Sequence, residues 1–451
     1  MPGSEAVLRA VPMPEVSPGL EAATLRRWMV RPGDLVEEGD LLAEIETDKA
    51  VLEIEAPETG RIAELLIDEG TEAVPVGSAI ARLMDEDAEA VQPAAAAPPQ
   101  SRNTGTVAAK PKSRDIEADW DTGVSSSKTT VREALRDALS EEMARDDSVF
   151  VIGEDVGGAQ GAYKVTQGLI ERFGAARVVD APPLWQGVAG LAIGAAMAGL
   201  RPVVEFRNLA FALQAAGQIV QSAAKTEAMT GGALTVPVVF RGPHGAVEQM
   251  GGQLSHDMAA VFAQVPGLKV AMPFAASDAK GLLKAAIRDP GPVIFLENDA
   301  LYGQAFPVPD GEDHVVPLGR ARRLRDGDDV TLVSFGIGMV ATLEAADILG
   351  RDGIAAEVID LRSLAPLDTE TLVASLQKTH RCVTVEHGWP RGGIGQQISA
   401  ALMRDAFDAL DAPVMCLGAA EVARPYAEGL EAAALPDASE IAAAARKVLY
   451  R

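Results

Sequence analysis

Gly187-Val188-Ala189-Gly190-Leu191-Ala192-Ile193-Gly194-Ala195-Ala196-Met197-Ala198 runs without a charge through Gly199-Leu200-Arg201 into Pro202-Val203-Val204-Glu205-Phe206. Small and aliphatic residues in the first part read as a helix lying close against a sheet. The β-branched pair after Pro202 reads as a buried strand, Pro202–Phe206. The same alternation extends outward in both directions. Upstream, an amphipathic helix over Val131–Arg145 leads into a strand at Val149–Ile152. Downstream, helical segments at Phe211–Met229 and Ser277–Arg288 alternate with strands at Val236–Arg241, Lys269–Met272 and Val293–Glu297. A second series opens near Asp329, with strands at Val330–Phe335, Ala356–Asp360 and Cys382–Glu386. Strand–helix alternation of this kind predicts two α/β domains, residues 129–307 and 320–451, with parallel sheets covered by helices on both faces. The Pro-, Asp- and Gly-rich stretch Pro307–Gly319 marks the boundary between them.

The N-terminal part obeys a different pattern. Across residues 6–84, short strand-like runs such as Leu41–Ile45 and Ala50–Ile54 are broken by turn signals at Pro32-Gly33-Asp34 and Glu38-Gly39-Asp40. Helical periodicity is nearly absent, which predicts a small β-rich domain. Residues 85–128 lose apolar patterning altogether, with an Ala/Pro run at Pro93–Pro99. Such composition cannot bury enough surface to fold and reads as a linker with a root-mean-square reach of about 35 Å. Glu46-Thr47-Asp48-Lys49-Ala50 lies between two strand-like runs, which puts Lys49 at the tip of a tight turn.

Composition narrows the function. The 451 residues carry a net charge of −25, and the first 90 hold 21 acidic against 7 basic side chains. That excess disfavours nucleic acid and anionic membranes as partners. Aromatics are 4% against 48% hydrophobic overall, so the cores must be built from Ala, Val, Leu and Ile. Cys382 and Cys416 offer neither a disulfide framework nor metal-ligand spacing and read as small apolar residues in a reducing compartment. Met1–Glu15 lacks the basic start and apolar core of a signal peptide, and no apolar run reaches membrane-spanning length. The expectation is a cytoplasmic protein.

The stretch from Pro32-Gly33-Asp34 through Gly39-Asp40 and Asp48-Lys49-Ala50 to Ala56-Pro57 and Gly60 resembles lipoyl domains along its whole length. The resemblance implies that Lys49 is amide-linked to lipoic acid. An exposed turn lets a ligase reach the amine and projects an arm of roughly 14 Å into another active site. Biotinylation and an unmodified, solvated lysine are the alternatives. The related biotin-carrier fold usually shows Met beside its Lys, where this chain has Asp48 and Ala50.

Residues Thr129 to Arg451 resemble the β subunit of thiamin-dependent 2-oxoacid dehydrogenases, pyruvate dehydrogenase foremost among them. The matching pieces are Gly153-Glu154-Asp155-Val156, Gly161-Ala162-Tyr163-Lys164-Val165, the opening stretch Gly187–Pro202, Ser222-Ala223-Ala224-Lys225-Thr226, Phe240-Arg241-Gly242-Pro243, Pro266-Gly267-Leu268-Lys269-Val270 and Val385-Glu386-His387-Gly388-Trp389-Pro390. Their order over more than 300 residues carries the resemblance better than any one of them. It implies a pyrimidine-binding domain followed by a transketolase-type C-terminal domain. The chain has no Gly-Asp-Gly, and its asparagines are Asn103, Asn208 and Asn298. The diphosphate of thiamin and its Mg2+ must then sit on a separate α subunit, giving an α2β2 unit. A dihydrolipoyl transacylase core and a dihydrolipoyl dehydrogenase would complete the complex. Acetoin and branched-chain oxoacid dehydrogenases share the architecture, so the substrate stays open.

The resemblance also assigns residues. Phe211 falls where the family stacks an aromatic ring on the pyrimidine, with core packing as the alternative. Glu154 aligns with an acid near the thiazolium, with a structural hydrogen bond as the alternative. Two positions depart from the family. Its pyrimidine-directed Glu corresponds to Trp185, five residues after Asp180, and its active-site His corresponds to Leu254 in Gln253-Leu254-Ser255-His256. An acid or base lost at either site would cost about 10²–10⁴ in rate. Three accounts are compatible with this: a pocket reshaped by Trp185 for another substrate, a degenerate lipoyl-bearing assembly or regulatory subunit, or a takeover by His256 or His244. The family often holds potassium on residues matching Val238, Ala286, Ile287 and Asp289. An ion-free site is the alternative there.

Overall fold

The computed structural model describes residues 9–14, 22–36, 39–46, 51–71, 74–84, 120, 123–245 and 250–451. The chain divides into two units, Met1–Arg102 and Asn103–Arg451.

The first unit is made of two four-stranded antiparallel sheets. One has the order Arg9–Pro12, Ala79–Met84, Gly60–Leu65, Leu35–Val36; the other runs Val51–Glu55, Leu41–Glu46, Ala22–Trp28, Val74–Pro75. Alternation along the strands turns Leu25, Leu42, Ile45, Ile62 and Ile80 into a common apolar core. Gly33 and Gly39 adopt φ of +100° and +94°, the left-handed region that their turns require. The Trp28 indole N–H donates to Ile67 O at 2.9 Å, so its polar edge is satisfied beside the core.

The second unit carries both α/β layers. Its first sheet has seven strands in the order Val178–Asp180, Val149–Gly153, Arg201–Glu205, Val239–Pro243, Val293–Glu297, Lys269–Ala271, Ser363–Ala365. All pairings are parallel except the last. That antiparallel edge strand belongs to the following domain, so the two α/β domains share a sheet edge. The second sheet, Arg322–Arg325, Ala356–Asp360, Val330–Ser334, Cys382–Val385, Met415–Leu417, is parallel apart from its first strand. The central strands, such as Val239–Pro243, Val293–Glu297 and Val330–Ser334, are buried on both faces, which is why Val293–Glu297 and Val330–Ser334 read as largely apolar runs.

Two local expectations are corrected. Ser126–Thr130 pairs antiparallel with Ala305–Pro309, so the linker expected to reach Lys128 ends before a strand begins. The β-branched and hydroxyl residues there gain a ladder partner far along the chain, which composition could not reveal. The helical segment expected over Phe211–Met229 changes its winding along the way: a tight 3₁₀ turn Leu209–Leu213 precedes a wide π-type stretch Gly217–Ala223, which runs directly into the helix Ala224–Met229. Asn208 accepts from the Ala210 N–H at 2.8 Å and starts the tight turn. Gly217, whose backbone is the least restricted, stands where the winding changes.

Candidate functional site

The site forms at the carboxyl ends of the parallel strands, where open α/β sheets bind ligands. Asp180 ends its strand and anchors the neighbouring loop: its carboxylate accepts from Gly157 N–H at 2.6 Å and from Gly158 N–H at 3.3 Å. Four residues then lead to Trp185, the first residue of the helix Trp185–Met197, whose first turn contains no acid. The Trp185 side chain turns inward and is 3% exposed. Its ring stacks on Phe206 at 4.8 Å between centroids and on Phe211 at 5.9 Å, with planes 11° apart in the second pair. Phe211 is half-buried on the 3₁₀ turn. Glu154, just past its strand, is half-buried with Oε1 3.7 Å from Arg207 Nη1, a loose ion pair.

At the ends of the neighbouring strands lies a buried ionic set. Arg241 Nε and Nη2 each reach Glu297 at 2.6 Å, and Arg241 Nη1 also meets Glu205. The Tyr302 hydroxyl donates to Glu297 at 2.6 Å. Burial pushes the Glu205 carboxyl up, opposed by the Arg241 charge, and pushes the Tyr302 phenol well up. The fork geometry of the guanidinium fixes three adjacent strand ends together. Sequence reading missed this set; its one signal was an arginine and two glutamates at the ends of otherwise apolar strands.

Leu254 closes the short turn Gly251–Leu254, which packs against the turn Leu209–Leu213 that carries Phe211. Of the two positions where the resemblance implies an acid or base, Trp185 touches the Phe211 ring and Leu254 lies on a turn next to the one that bears it. His256 packs its imidazole 4.9 Å from Trp389 of the C-terminal domain. His244 is fully buried, and its Nε2 accepts from the Met258 N–H at 2.6 Å. That bond places the proton on Nδ1, which has no partner among the described residues. Burial lowers the His244 pKa. Asp257 stands 3.7 Å from His244 and extends the group toward the C-terminal domain. There burial, helped by Arg424, holds the His387 imidazole down at about 4, and burial raises Glu386 to about 7. Glu386 accepts from Ile394 and Gly395 N–H groups at 3.1 and 2.9 Å.

Lys49 lies outside the described residues. The strands on either side, Leu41–Glu46 and Val51–Glu55, pair antiparallel with Glu46 opposite Val51. At Val238, Ala286, Ile287 and Asp289 the backbone carbonyls are already engaged, and Ile287 and Asp289 share one partner. Arg201 Nη1 donates to Ile287 O at 2.8 Å and to Asp289 O at 3.1 Å. Val238 O accepts from Val293, Ala286 O from Asp289, and the Asp289 carboxylate meets Lys269 Nζ at 2.5 Å. A potassium ion would compete there with two fixed positive charges.

The residues present do not fit an aminopyrimidine stacked on Phe211 as the side chains stand. The chain's own indole is offset-stacked against that ring, and no carboxylate replaces the missing Glu.

Comparison with known proteins agrees with the domain pattern. Family models match at residues 9–83 (biotin-requiring enzyme), 127–304 (transketolase, pyrimidine binding domain) and 319–441 (transketolase, C-terminal domain). The pyruvate dehydrogenase E1 component subunit beta of Rhizobium meliloti is 50% identical over 97% of this chain and 99% of its own length. The subunit of the same name from Rickettsia felis is 53% identical over 71% of this chain and 98% of its own. The mitochondrial one from Drosophila melanogaster is 52% identical over 71% and 89%. Among solved structures, a split-gene transketolase described as an inactive beta4 tetramer superposes with a TM-score of 0.59 at 26% identity, covering 72% of this chain and 99% of that one.

Proposed function

The chain belongs to the family of pyruvate dehydrogenase E1 component β subunits, and we propose that it serves as the β subunit of a pyruvate or closely related 2-oxoacid dehydrogenase component carrying its own lipoyl domain. The observation that supports this reading is the end-to-end identity with the Rhizobium meliloti subunit, which spans the fused N-terminal domain as well as both α/β domains. The component would decarboxylate the oxoacid and reductively acylate lipoyl groups, the complex as a whole giving acyl-CoA, CO2 and NADH.

The proposed partners are a separate α subunit in an α2β2 unit, a dihydrolipoyl transacylase core and a dihydrolipoyl dehydrogenase, all cytoplasmic. The α subunit supplies the diphosphate and Mg2+ end of thiamin diphosphate, because this chain lacks the Gly-Asp-Gly motif that would hold it. A potassium ion would have to displace Arg201 from two carbonyls, so the cofactor set is thiamin diphosphate and lipoate on Lys49. A tethered lipoyl arm raises the acyl acceptor's effective concentration near the site of acyl formation. A mass increase of about 188 Da at Lys49 is the expected mark of lipoylation; an unmodified or biotinylated Lys49 counts against it.

A second reading has a specific observation in its favour. Trp185 and Leu254 stand where the family has its two acid/base groups, and Trp185 stacks on Phe211, which suits a lipoyl-bearing assembly or regulatory subunit with no turnover of its own. Co-expression with the α subunit and measurement of thiamin-dependent decarboxylation of several oxoacids separates the two. Turnover that falls in the double variant Trp185→Glu, Leu254→His indicates a pocket rebuilt for a different substrate. Absent turnover that appears in the double variant indicates a degenerate site. If neither form ever turns over beside a competent α subunit, the catalytic reading fails.

A further inference from the structure

We infer that the Trp185 indole takes the place on Phe211 that an aminopyrimidine would take, so that this chain closes its own half of the thiamin site. This rests on the second reading above, a β subunit of this family with no turnover of its own, and on Phe211 as the pyrimidine's stacking partner in the family. The indole is the ring shared by two stacked pairs, with Phe206 at 4.8 Å and Phe211 at 5.9 Å. Both distances fall in the range of favourable offset stacking. Phe206 in turn tilts against Phe240 at 6.4 Å, so the stack is anchored to the core. Ile152, Val188, Ala189 and Val204 belong to the same buried cluster. The indole is therefore a packed component of the domain and leaves little of itself to solvent.

A pyrimidine needs two things from this wall: a free aromatic face, and a group able to exchange a proton with a ring nitrogen. Trp185, offset-stacked on Phe211, crowds the first. For the second it offers one indole N–H, a donor with no acceptor lone pair and no accessible proton exchange. Admission of the cofactor's ring would require the indole to leave its stack, with loss of two aromatic pairs that would weaken binding by about 10- to 100-fold. Binding through the diphosphate would be untouched, since that end belongs to the α subunit.

The test uses the full chain co-purified with its α subunit, titrated calorimetrically with Mg2+-thiamin diphosphate and separately with Mg2+ and inorganic diphosphate. The wild type is expected to bind thiamin diphosphate no more than a few-fold tighter than inorganic diphosphate, and Phe211→Ala should leave both unchanged. Trp185→Glu and Trp185→Leu should each tighten thiamin diphosphate at least 10-fold without altering inorganic diphosphate. Phe211→Ala placed on Trp185→Leu should reverse the gain. A wild type that prefers thiamin diphosphate by more than 10-fold and loses that preference in Phe211→Ala overturns the inference. So does an unchanged affinity in folded Trp185 variants. The wild-type and Phe211→Ala measurements decide the matter even if substitutions at 185 fail to fold. Failure to co-purify with any α subunit overturns the subunit reading and, with it, this one.

Discussion

Asp278, on the helix Ala276–Arg288 of the first α/β layer, receives Arg362 Nη2 of the second at 2.8 Å. Its other oxygen lies 3.2 Å from Arg322 Nη1, and all three side chains are buried. One carboxylate thus bridges two arginines beside the place where Ser363–Ala365 joins the first sheet. Removing it would take a buried counter-charge from both of them. Asp278→Ala should cost about 3–5 kcal/mol of unfolding free energy. Urea denaturation of the full chain followed by circular dichroism measures this; a loss below about 1 kcal/mol would show that other groups, Asp360 among them, compensate the arginines.

Glu386 should make stability fall as pH rises through the neutral range. Its carboxyl is raised from 4.5 to about 7, chiefly by burial, with Asp257 adding to the effect. A carboxyl with a raised folded-state pKa keeps its proton longer in the folded chain than in the unfolded one. Its contribution is fully present below about 4.5 and is lost as pH rises through about 7. Glu386→Gln should flatten the decline in urea midpoint between pH 5 and 8. Some slope should persist, because Asp360 is raised to about 7 by burial in the same way. Superimposable profiles for wild type and variant would refute the assignment.

Thr130 begins the helix Val131–Arg145 with a reciprocal cap. Its hydroxyl oxygen accepts from the Glu133 N–H at 3.2 Å, while the Glu133 carboxylate accepts from the Thr130 N–H at 3.0 Å. Thr130→Ala breaks one arm of this box and should cost about 1 kcal/mol. The comparison to make is Thr130→Ser, which keeps the hydroxyl and should recover most of the loss.

Gly60 in the N-terminal unit has no room for a side chain. A Cβ there would stand 2.9 Å from Met84 O, a backbone atom of the partner sheet strand, and 3.6 Å from Leu83 Cβ. Gly60→Ala should destabilise this unit by about 1–3 kcal/mol. Calorimetry of the full chain should show an earlier transition for the small unit, with the main α/β transition unmoved.

Much of the architecture was written in short-range pattern. The strands Val293–Glu297 and Ala356–Asp360 and the helix Val131–Arg145 occur as their residues predict, because apolar period, caps and turn residues act within a few positions of one another. The change of winding along Phe211–Met229 was not legible, since Gly217 and Asn208 act only in combination with what packs around them. In the site, the sequence alone determined which chemistries the side chains at 185 and 254 lack. The tertiary structure decided where those side chains go. Trp185 reaches Phe211 across 26 positions, and Arg241 gathers Glu205 and Glu297 from two neighbouring strands, only because parallel strands bring their carboxyl ends to one edge. Stacking and ion pairing depend on distances in space, and a sequence records only distances along the chain.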